Sequence, residues 1–372
     1  MCTTGHNQAP SDDVSPVRQD QPTNTQLTTT VDGFPPKHPN PQTRNAEMSK
    51  CAQRSASLAS LGTRPTRRQF SCSRRLSRAR DPRIRDIGRQ IEDDYAAIRK
   101  HYATPKHPIV LAHGLLGFSE LHVPPFPRIH YWHGIREALT AQGATVVTAS
   151  VPPSSSIADR ASRLADEITR SGVDAAAGVN IVAHSMGGLD ARWMIAHTLR
   201  QRGLPVRVAS LTTVSSPHRG SPFADYVLRA EAGPLYLPRV YGVLERAGLE
   251  TSAFAQLTTA YMRREFNPAT PDDPAVRYFS YGAVAGPPPL LSPFRVPGRI
   301  VGAAEGANDG LVSVQSARWG AYQGTLVGVN HLDLINWPNR LRWVVRGWMG
   351  RRRFNAVAFY LGIADMLARE GL

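Results

Sequence analysis

The sequence predicts an α/β protein in which a mostly parallel sheet is flanked by helices on both faces. Three observations lead to this fold class. Short apolar runs alternate with helical patterns over residues 108–214, as they do in βαβ units. One of these runs ends at a serine between small residues, in the stretch IVAHSMGG of residues 181–188. Residues 217–275 then interrupt the alternation, and an insertion of this length after a strand predicts a cap or lid.

Ordered structure is expected to begin near Pro82, and the helical spacing of Ile87, Ile91 and Tyr95 predicts a first helix over residues 84–102. Up to the serine, the expected elements are a strand at 108–111, a helix at 131–142, a strand at 144–151, a helix from Ser155 or Ser156 to Gly172 and a strand at 180–184. After it, we expect a helix at 186–202, strands at 206–214, 276–284 and 324–329, and a mostly helical tail at 334–372.

The serine lies at a predicted nucleophile elbow, which is a sharp turn from a strand into a helix. The strained backbone of this turn accepts only small side chains two residues before and after the nucleophile, and Ala183 and Gly187 occupy those positions around Ser185. Alanine departs from the usual first glycine, but its methyl group still meets the steric demand. An ordinary glycine-containing turn would look the same, so the motif needs support from other groups.

A serine hydroxyl needs a base to remove its proton and an acid to orient that base. Of the twelve histidines, only His331 lies after the insertion, and it follows the last predicted strand, so we predict that it is the base. Asp309 lies in an Asn-Asp-Gly turn that we expect to follow a strand. It is the predicted acid because it preserves the order serine, acid, histidine along the chain. Asp333 and Glu305 are the alternatives.

The reaction also requires backbone N–H groups that bind the oxyanion of the tetrahedral intermediate. Met186 follows the serine at the start of a helix, where the helix dipole favours negative charge. The second donor is expected on the loop after the first buried strand, HGLLG at residues 113–117, and we assign it to Leu115. His113 of the same loop is predicted to stabilise the loop rather than to act as a second base.

The net charge of +15 is unevenly distributed along the 372 residues. Residues 1–80 lack the pattern of a core and predict a disordered tail. Within it, residues 48–80 hold nine basic and no acidic side chains, which is typical of a mitochondrial transit segment beginning at Met48 or of a solvated basic tail. Residues 81–372 form the predicted catalytic domain. We expect an intracellular protein, mitochondrial or cytoplasmic.

Composition also excludes several classes of function. All three cysteines precede residue 81, so the catalytic domain holds neither a disulfide scaffold nor a cysteine-bound metal. There is no apolar run of membrane-spanning length and no apolar leader for secretion. The domain carries no basic recognition motif, so nucleic-acid binding is not expected, and neither is a cofactor.

Five blocks of the sequence resemble those of triacylglycerol lipases and occur in the same order. They are HPIVLAHGLLGF (107–118), AHSMGG (183–188), LTTVSSPHRGSPFADY (211–226), NDGLV (308–312) and NHLDLINW (330–337). The similarity is to intracellular fungal members and to bacterial lipases related to those of Burkholderia and Pseudomonas. The resemblance implies an α/β-hydrolase fold, hydrolysis of carboxylic esters and a mobile lid over an acyl-binding cleft. It places the triad at Ser185, Asp309 and His331 and the oxyanion donors at Leu115 and Met186.

Two features depart from the family pattern. The bacterial members bind a structural Ca²⁺ through paired aspartates, and Asp333 matches only the downstream one. The upstream partner would fall within residues 286–294, which contain no acid, so we expect no calcium site and no other metal. The insertion is also short and free of cysteine, which argues against a large lid activated at an interface.

The sequence therefore predicts a serine ester hydrolase, most specifically a triacylglycerol lipase acting through an acyl-enzyme on an acylglycerol or another lipid ester. A phospholipase, thioesterase or acyltransferase with the same triad is an alternative, and an inactive hydrolase fold that only binds is another. Residues 340–353 hold six arginines with two tryptophans, which predicts peripheral contact with a membrane or lipid-droplet surface. A final helix with one solvated face would show the same composition.

Overall fold

A computed structural model of the chain describes residues 87–115, 131–228, 251–288, 292–336 and 354–372. The predicted tail at 1–80, its basic segment at 48–80 and the arginine-rich stretch at 340–353 lie outside the described residues. Of the predicted cap, residues 217–228 and 251–275 are described. The boundaries of the domain and the cap therefore stay predictions.

One parallel sheet organises the described chain. Its strands are β1 (Gln90–Ile91), β2 (Ile109–Ala112), β3 (Val146–Ala149), β4 (Val179–His184), β5 (Val208–Val214), β6 (Arg277–Val284) and β7 (Ala321–Val327). They lie side by side in the order β1-β7-β6-β5-β4-β2-β3, and every neighbouring pair is parallel. The predicted α/β fold class is confirmed. Because parallel strands all end at the same edge, groups that follow β2, β4 and β7 meet there.

Helices supply the crossover connections that parallel strands require. The α-helices begin with α1 (Ile135–Ala141) and α2 (Ile157–Arg170). Helix α3 starts as Gly187–Trp193, continues through a π-helical turn, Met194–Thr198, and ends as Leu199–Gln201. Three shorter helices follow. They are α4 (Pro222–Leu228), α5 (Thr251–Gln256) and α6, which runs through Thr259–Tyr261, Met262–Phe266 and Asn267–Ala269. The last are α7 (Arg295–Glu305), α8 (Val314–Ala317) and α9 (Ala356–Arg369). Within the described residues, none of these helices is long and apolar enough to cross a bilayer.

The core lies on both faces of the sheet, and alternate residues of a strand serve opposite faces. In β2, Ile109 and Leu111 pack with residues of α1 and α9 on one face. Their neighbours Val110 and Ala112 pack with residues of α2 and α3 on the other. Burial on both faces explains why these strands are continuous apolar runs rather than alternating patterns.

The helix predicted over residues 84–102 is wrong, because the described part of this segment contains β1 and irregular turns. Gly88 has a φ of +67°, which a helix cannot accommodate. The backbone instead extends along β7, where Thr325 donates its amide hydrogen to the carbonyl of Arg89 at 2.8 Å. Ile87 and Ile91 are buried, as their spacing indicated, but a short strand next to a turn provides that burial.

The strand expected just before Asp309 is also absent, since helix α7 occupies residues 295–305. Val301 is fully buried on one side of this helix, and Pro297 lies in its first turn, where no amide hydrogen is needed. Beyond the helix, Asn308 donates from its side chain to the carbonyl of Gly306 at 2.8 Å. The turn that carries Asp309 is thus held by the C-terminal end of α7 rather than by a strand.

One of three polar contacts attaches the described part of the cap to the sheet domain, and the other two lie within the cap. Ile157, the first residue of α2, donates its amide hydrogen to the side-chain oxygen of Gln256 at 2.7 Å. The amide of Thr259 donates to Asp225 at 2.9 Å, and Asn267 donates to the carbonyl of His218 at 2.8 Å. Hydrogen bonds therefore hold α5 at its C-terminal end and α6 near both of its ends. A gating role for the cap stays a prediction.

Candidate active site

Ser185 lies on a sharp turn between β4 and α3. Its φ is +57°, a left-handed conformation that costs a non-glycine residue about 1–3 kcal/mol. The amide of Ser185 donates to the carbonyl of Val214 at 3.0 Å, which ties the turn to the neighbouring strand β5. Helix α3 begins two residues later, so its N-terminus lies beside the serine. The strand, strained serine and helix match the predicted elbow.

Close packing explains the small residues around the turn. A Cβ atom added to Gly187 would lie 2.7 Å from the carbonyl oxygen of Ala112, and one added to Gly188 would lie 2.2 Å from the hydroxyl of Ser216. Both distances are shorter than any van der Waals contact, so only glycine fits. Ala183, in contrast, is fully buried in the core beside α2 and α3, where its methyl group is accommodated.

The structure brings the three predicted triad residues into one line. His331 Nε2 lies 3.0 Å from Ser185 Oγ, and His331 Nδ1 lies 2.7 Å from Asp309 Oδ2. Ser185 follows β4, His331 follows β7 and Asp309 follows α7, so elements far apart in the chain supply the three groups. This arrangement can pass the hydroxyl proton of the serine to the imidazole while the carboxylate holds the other ring nitrogen.

Asp309 is completely buried, and backbone donors balance its charge. Its Oδ1 accepts hydrogen bonds from the amides of Leu311 at 3.0 Å and Val312 at 2.8 Å, which leaves Oδ2 for His331. The amide of His331 also donates to the carbonyl of Asp309 at 3.0 Å. Side chain and backbone together fix the orientation of the ring.

The two alternative acids have other partners. Glu305 accepts a hydrogen bond from the hydroxyl of Ser313, and Asp333 accepts one from the amide of Asn330 at 3.1 Å. Both ring nitrogens of His331 are already engaged by Asp309 and Ser185. The geometry therefore favours Asp309 over its rivals.

The predicted oxyanion donors lie on either side of the serine. The loop after β2 comes so close that a Cβ atom on Gly114 would be 2.6 Å from Ser185 Cβ and 3.2 Å from its Oγ, which places the next amide, that of Leu115, near the nucleophile. The Met186 amide lies at the start of α3. Within the described part of the chain, neither N–H donates to a protein acceptor. With respect to the described residues, both amides are thus available to bind an oxyanion.

His113 stabilises the loop that follows β2, of which residues 113–115 are described and which we call the oxyanion loop, through both ring nitrogens. Nε2 accepts from the amide of Val151 at 3.1 Å, so the ring proton is on Nδ1, which lies 3.0 Å from the carbonyl oxygen of Gly114. Burial, reinforced by the charge of Arg160, lowers the pKa of His113 to about 4. The ring is therefore neutral at physiological pH and has no free nitrogen with which to act as a second base.

A buried ion pair that the sequence analysis missed holds the same loop. Arg160 and Asp190 are almost completely inaccessible and lie 2.7 Å apart, and Arg160 also donates to the carbonyl of His113 at 2.9 Å. Burial raises the pKa of Asp190 to about 6, although Arg160 opposes the rise. One signal was available in the sequence, since Arg160 interrupts the apolar face that Ile157, Ala161 and Leu164 form on α2.

No metal site accompanies the triad in the described residues, where no three histidine, cysteine or acidic side chains converge as ligands. Asp333, which matches the downstream calcium ligand of bacterial lipases, is buried within its own turn.

Comparisons with known proteins show similarity to serine esterases and triacylglycerol lipases. A family model described as "Putative serine esterase (DUF676)" matches residues 103–229. The chain is 35% identical over 324 residues to triacylglycerol lipase 2 of Saccharomyces cerevisiae, an alignment that covers 75% of this chain and 96% of the yeast protein. It is 30% identical to a triacylglycerol lipase of Pseudomonas fragi, with coverage of 72% and 98% respectively.

Solved structures support the fold. The crystal structure of Staphylococcus hyicus lipase superposes with a TM-score of 0.53 at 19% sequence identity, covering 73% of this chain and 98% of that one. At this low identity the likeness concerns the architecture of sheet and helices alone.

Proposed function

Because the chain belongs to the triacylglycerol lipase family of serine ester hydrolases, we propose that Ser185, His331 and Asp309 hydrolyse acylglycerol esters through an acyl-enzyme. The observation that carries this proposal is the hydrogen-bonded line from Ser185 Oγ through His331 to Asp309. The predicted class of enzyme, a serine ester hydrolase of the lipase type, is confirmed by the family. The residue roles and the glyceride substrate are the proposal.

The first half of the reaction forms the acyl-enzyme. His331 Nε2 takes the hydroxyl proton of Ser185 as Oγ bonds to the ester carbonyl carbon. The carbonyl oxygen becomes an oxyanion and accepts hydrogen bonds from the amides of Leu115 and Met186. Asp309 stabilises the imidazolium so formed. His331 then returns the proton to the departing glyceride oxygen as the ester C–O bond breaks.

The second half releases the fatty acid. A water molecule gives a proton to His331 and attacks the acyl carbon, which regenerates the oxyanion between the same two amides. The bond to Ser185 Oγ then breaks, and His331 returns the proton to the serine. The protein ends in its initial state, and one ester has become one acid and one alcohol.

We also propose that the enzyme meets its substrate at a lipid surface. Supporting this are Tyr226 and Leu228 of α4, each 37% exposed, and Val296 of α7, which is 40% exposed. These two helices pack against each other, and they follow β5 and β6 at the carboxyl edge of the sheet, where the triad also lies. Exposed apolar side chains on two packed helices at this edge of the sheet would dock on an apolar interface.

The catalytic proposal is tested with the wild type beside Ser185→Ala. A fluorophosphonate probe should label only the wild type, and only the wild type should hydrolyse a chain-length series of p-nitrophenyl esters and triolein. Labelling accompanied by preference for a phospholipid or a thioester would replace the glyceride substrate. Absence of labelling in the wild type would favour a binding module, and hydrolysis by Ser185→Ala would show that another nucleophile acts.

The surface proposal has a separate test. Replacing Tyr226, Leu228 and Val296 together by serine should lower the rate on a triolein emulsion several-fold and leave the rate on dissolved p-nitrophenyl butyrate unchanged. Equal rates on the emulsion for the variant and the wild type would reject lipid docking by these side chains.

A further inference from the structure

A buried phenol links the oxyanion loop to the nucleophile turn. The hydroxyl of Tyr131 accepts the amide hydrogen of Gly114 at 3.1 Å and lies 2.7 Å from Nδ1 of His184. Gly114 follows β2, whereas His184 ends β4 and immediately precedes the nucleophile Ser185. Since β2 and β4 are neighbours in the sheet, the single oxygen of Tyr131 spans the gap between the two segments that carry the oxyanion donors.

This contact determines which loop amide is available for catalysis. The N–H of Gly114 is occupied by Tyr131, whereas that of Leu115 has no acceptor among the described residues. The carbonyl of Gly114 is in turn bonded to the ring of His113. Residue 114 is thus held at its amide and at its carbonyl, and the peptide that bears the Leu115 amide cannot rotate freely. Tyr131 provides the part of this restraint that acts on the amide of Gly114.

The link is compatible with a neutral His184. The Tyr131 hydroxyl can donate its hydrogen to Nδ1 of His184 while its oxygen accepts from Gly114, a pairing in which the ring proton of His184 is on Nε2. Burial, and secondly the charge that His331 can carry, keep the pKa of His184 well below its usual value. The ring centroids of His184 and His331 lie 4.6 Å apart. A neutral His184 therefore does not repel the imidazolium that forms on His331 during the reaction.

We propose that Tyr131 and His184 are a positioning pair, which sets the spacing of the Leu115 and Met186 amides for the transition state. The pair touches no reacting atom and acts through Gly114 and the nucleophile turn. This inference rests on the proposed triad and oxyanion donors. A pair of this kind stabilises the oxyanion but not the bound ester, so its loss lowers kcat and leaves KM nearly unchanged.

The test replaces Tyr131 by phenylalanine, which removes only the hydroxyl. Rates on p-nitrophenyl butyrate are divided by the number of active sites titrated with the fluorophosphonate, so that misfolded molecules do not count. We expect kcat to fall about 10- to 100-fold, somewhat less than the loss of an oxyanion donor itself, with KM within about twofold. Inhibition by phenylboronic acid, whose serine adduct is tetrahedral, should weaken by a similar factor.

Tyr360→Phe is the matched control. Tyr360 is a buried tyrosine of the same core, but its hydroxyl has no hydrogen-bond partner in the part of the chain that the structure describes. Its kcat should equal that of the wild type. His184→Phe should reproduce the loss seen in Tyr131→Phe, and the double variant should lose no more than either single one, because both remove the same link.

The outcomes distinguish failure of the positioning role from failure of the proposed hydrolase function. Equal kcat in Tyr131→Phe and Tyr360→Phe, additive losses in the double variant, or a change confined to KM would each overturn the positioning role. If Tyr131→Phe does not fold, the comparison of His184→Phe with the wild type decides by the same criteria. Continued hydrolysis by Ser185→Ala would instead refute the proposed function on which the inference rests.

Discussion

Gly114 and Ser185 approach so closely that a methyl group on the glycine would lie 2.6 Å from Ser185 Cβ. The substitution Gly114→Ala must therefore displace either the oxyanion loop or the nucleophile. We expect kcat to fall at least 100-fold, as it does when an oxyanion donor is lost. Gly286→Ala is the control, because a Cβ atom there meets nothing within 4 Å. Full activity of Gly114→Ala would show that the loop can move away without cost.

Asp309→Asn tests the assignment of the acid. The amide is the same size as the carboxylate but cannot stabilise the imidazolium, so kcat should fall by about 10³ to 10⁴. Glu305→Gln serves as the comparison, since glutamine can still accept from the hydroxyl of Ser313 and has no part in the triad. The measurement is kcat on p-nitrophenyl butyrate, with the rate divided by the number of active sites titrated with the fluorophosphonate. A larger loss in Glu305→Gln than in Asp309→Asn would reverse the assignment.

Breaking the buried pair should destabilise the protein. Arg160→Met leaves Asp190 buried without its partner, which costs about 3–5 kcal/mol in the free energy of unfolding. On the same helix, Arg163→Met removes a partly exposed pair with Glu167 and should change that free energy by no more than about 0.5 kcal/mol. Urea unfolding measures both.

The double variant Arg160→Met/Asp190→Leu separates stability from loop positioning. Apolar replacement of both partners should restore most of the free energy of unfolding. The activity should remain low, because the carbonyl of His113 still lacks the hydrogen bond that Arg160 donates to it. Full recovery of kcat would show that this bond has no bearing on the oxyanion loop.

Buried histidines should make the protein sensitive to acid. Burial lowers the pKa of His113 to about 4 and places those of His184 and His218 well below 6.5. Between the folded and unfolded pKa values the unfolded chain binds more protons, so stability is full above about pH 6.5 and falls as the pH drops towards 4. Each histidine contributes at most about 1.4 kcal/mol per pH unit.

Asp190 acts in the opposite direction, because its raised pKa of about 6 lets the folded state take up a proton first. Three histidines outweigh one carboxyl, so the free energy of unfolding should be a few kcal/mol lower at pH 5 than at pH 7, as measured in urea. Replacing the exposed His101 by glutamine should not alter this difference. Equal stability at the two pH values would contradict the expectation.

The sequence was informative where the function depends on a short local pattern or on the order of residues along the chain. The small residues around Ser185 follow from the geometry of one turn, and the order of Ser185, Asp309 and His331 follows from a connectivity shared by the family. Both could be predicted without coordinates, and the structure brings the three side chains together. The strand and helix alternation around them was equally local, since each element shows its own hydrophobic period.

What the sequence left open depends on contacts between distant segments. Ile87, Ile91 and Tyr95 are spaced as on a helix, but pairing of residues 90–91 with β7 imposes an extended backbone. Propensity is a weak guide when a distant strand offers hydrogen bonds. Tyr131 and His184 are likewise ordinary in sequence, and only the adjacency of β2 and β4 gives them a common role.

Of the paired strands in the sheet, β1 and β7 are the farthest apart in sequence, so β1 is synthesised long before it can pair. The hydroxyl of Thr325 in β7 bonds to the carbonyl of Ile87, 238 residues earlier in the chain. A nascent chain that leaves the ribosome from its N-terminus cannot complete this sheet edge until nearly the whole domain has emerged. Until then Ile91, which is buried in the finished fold and paired with Leu326, is exposed to chaperones and to aggregation.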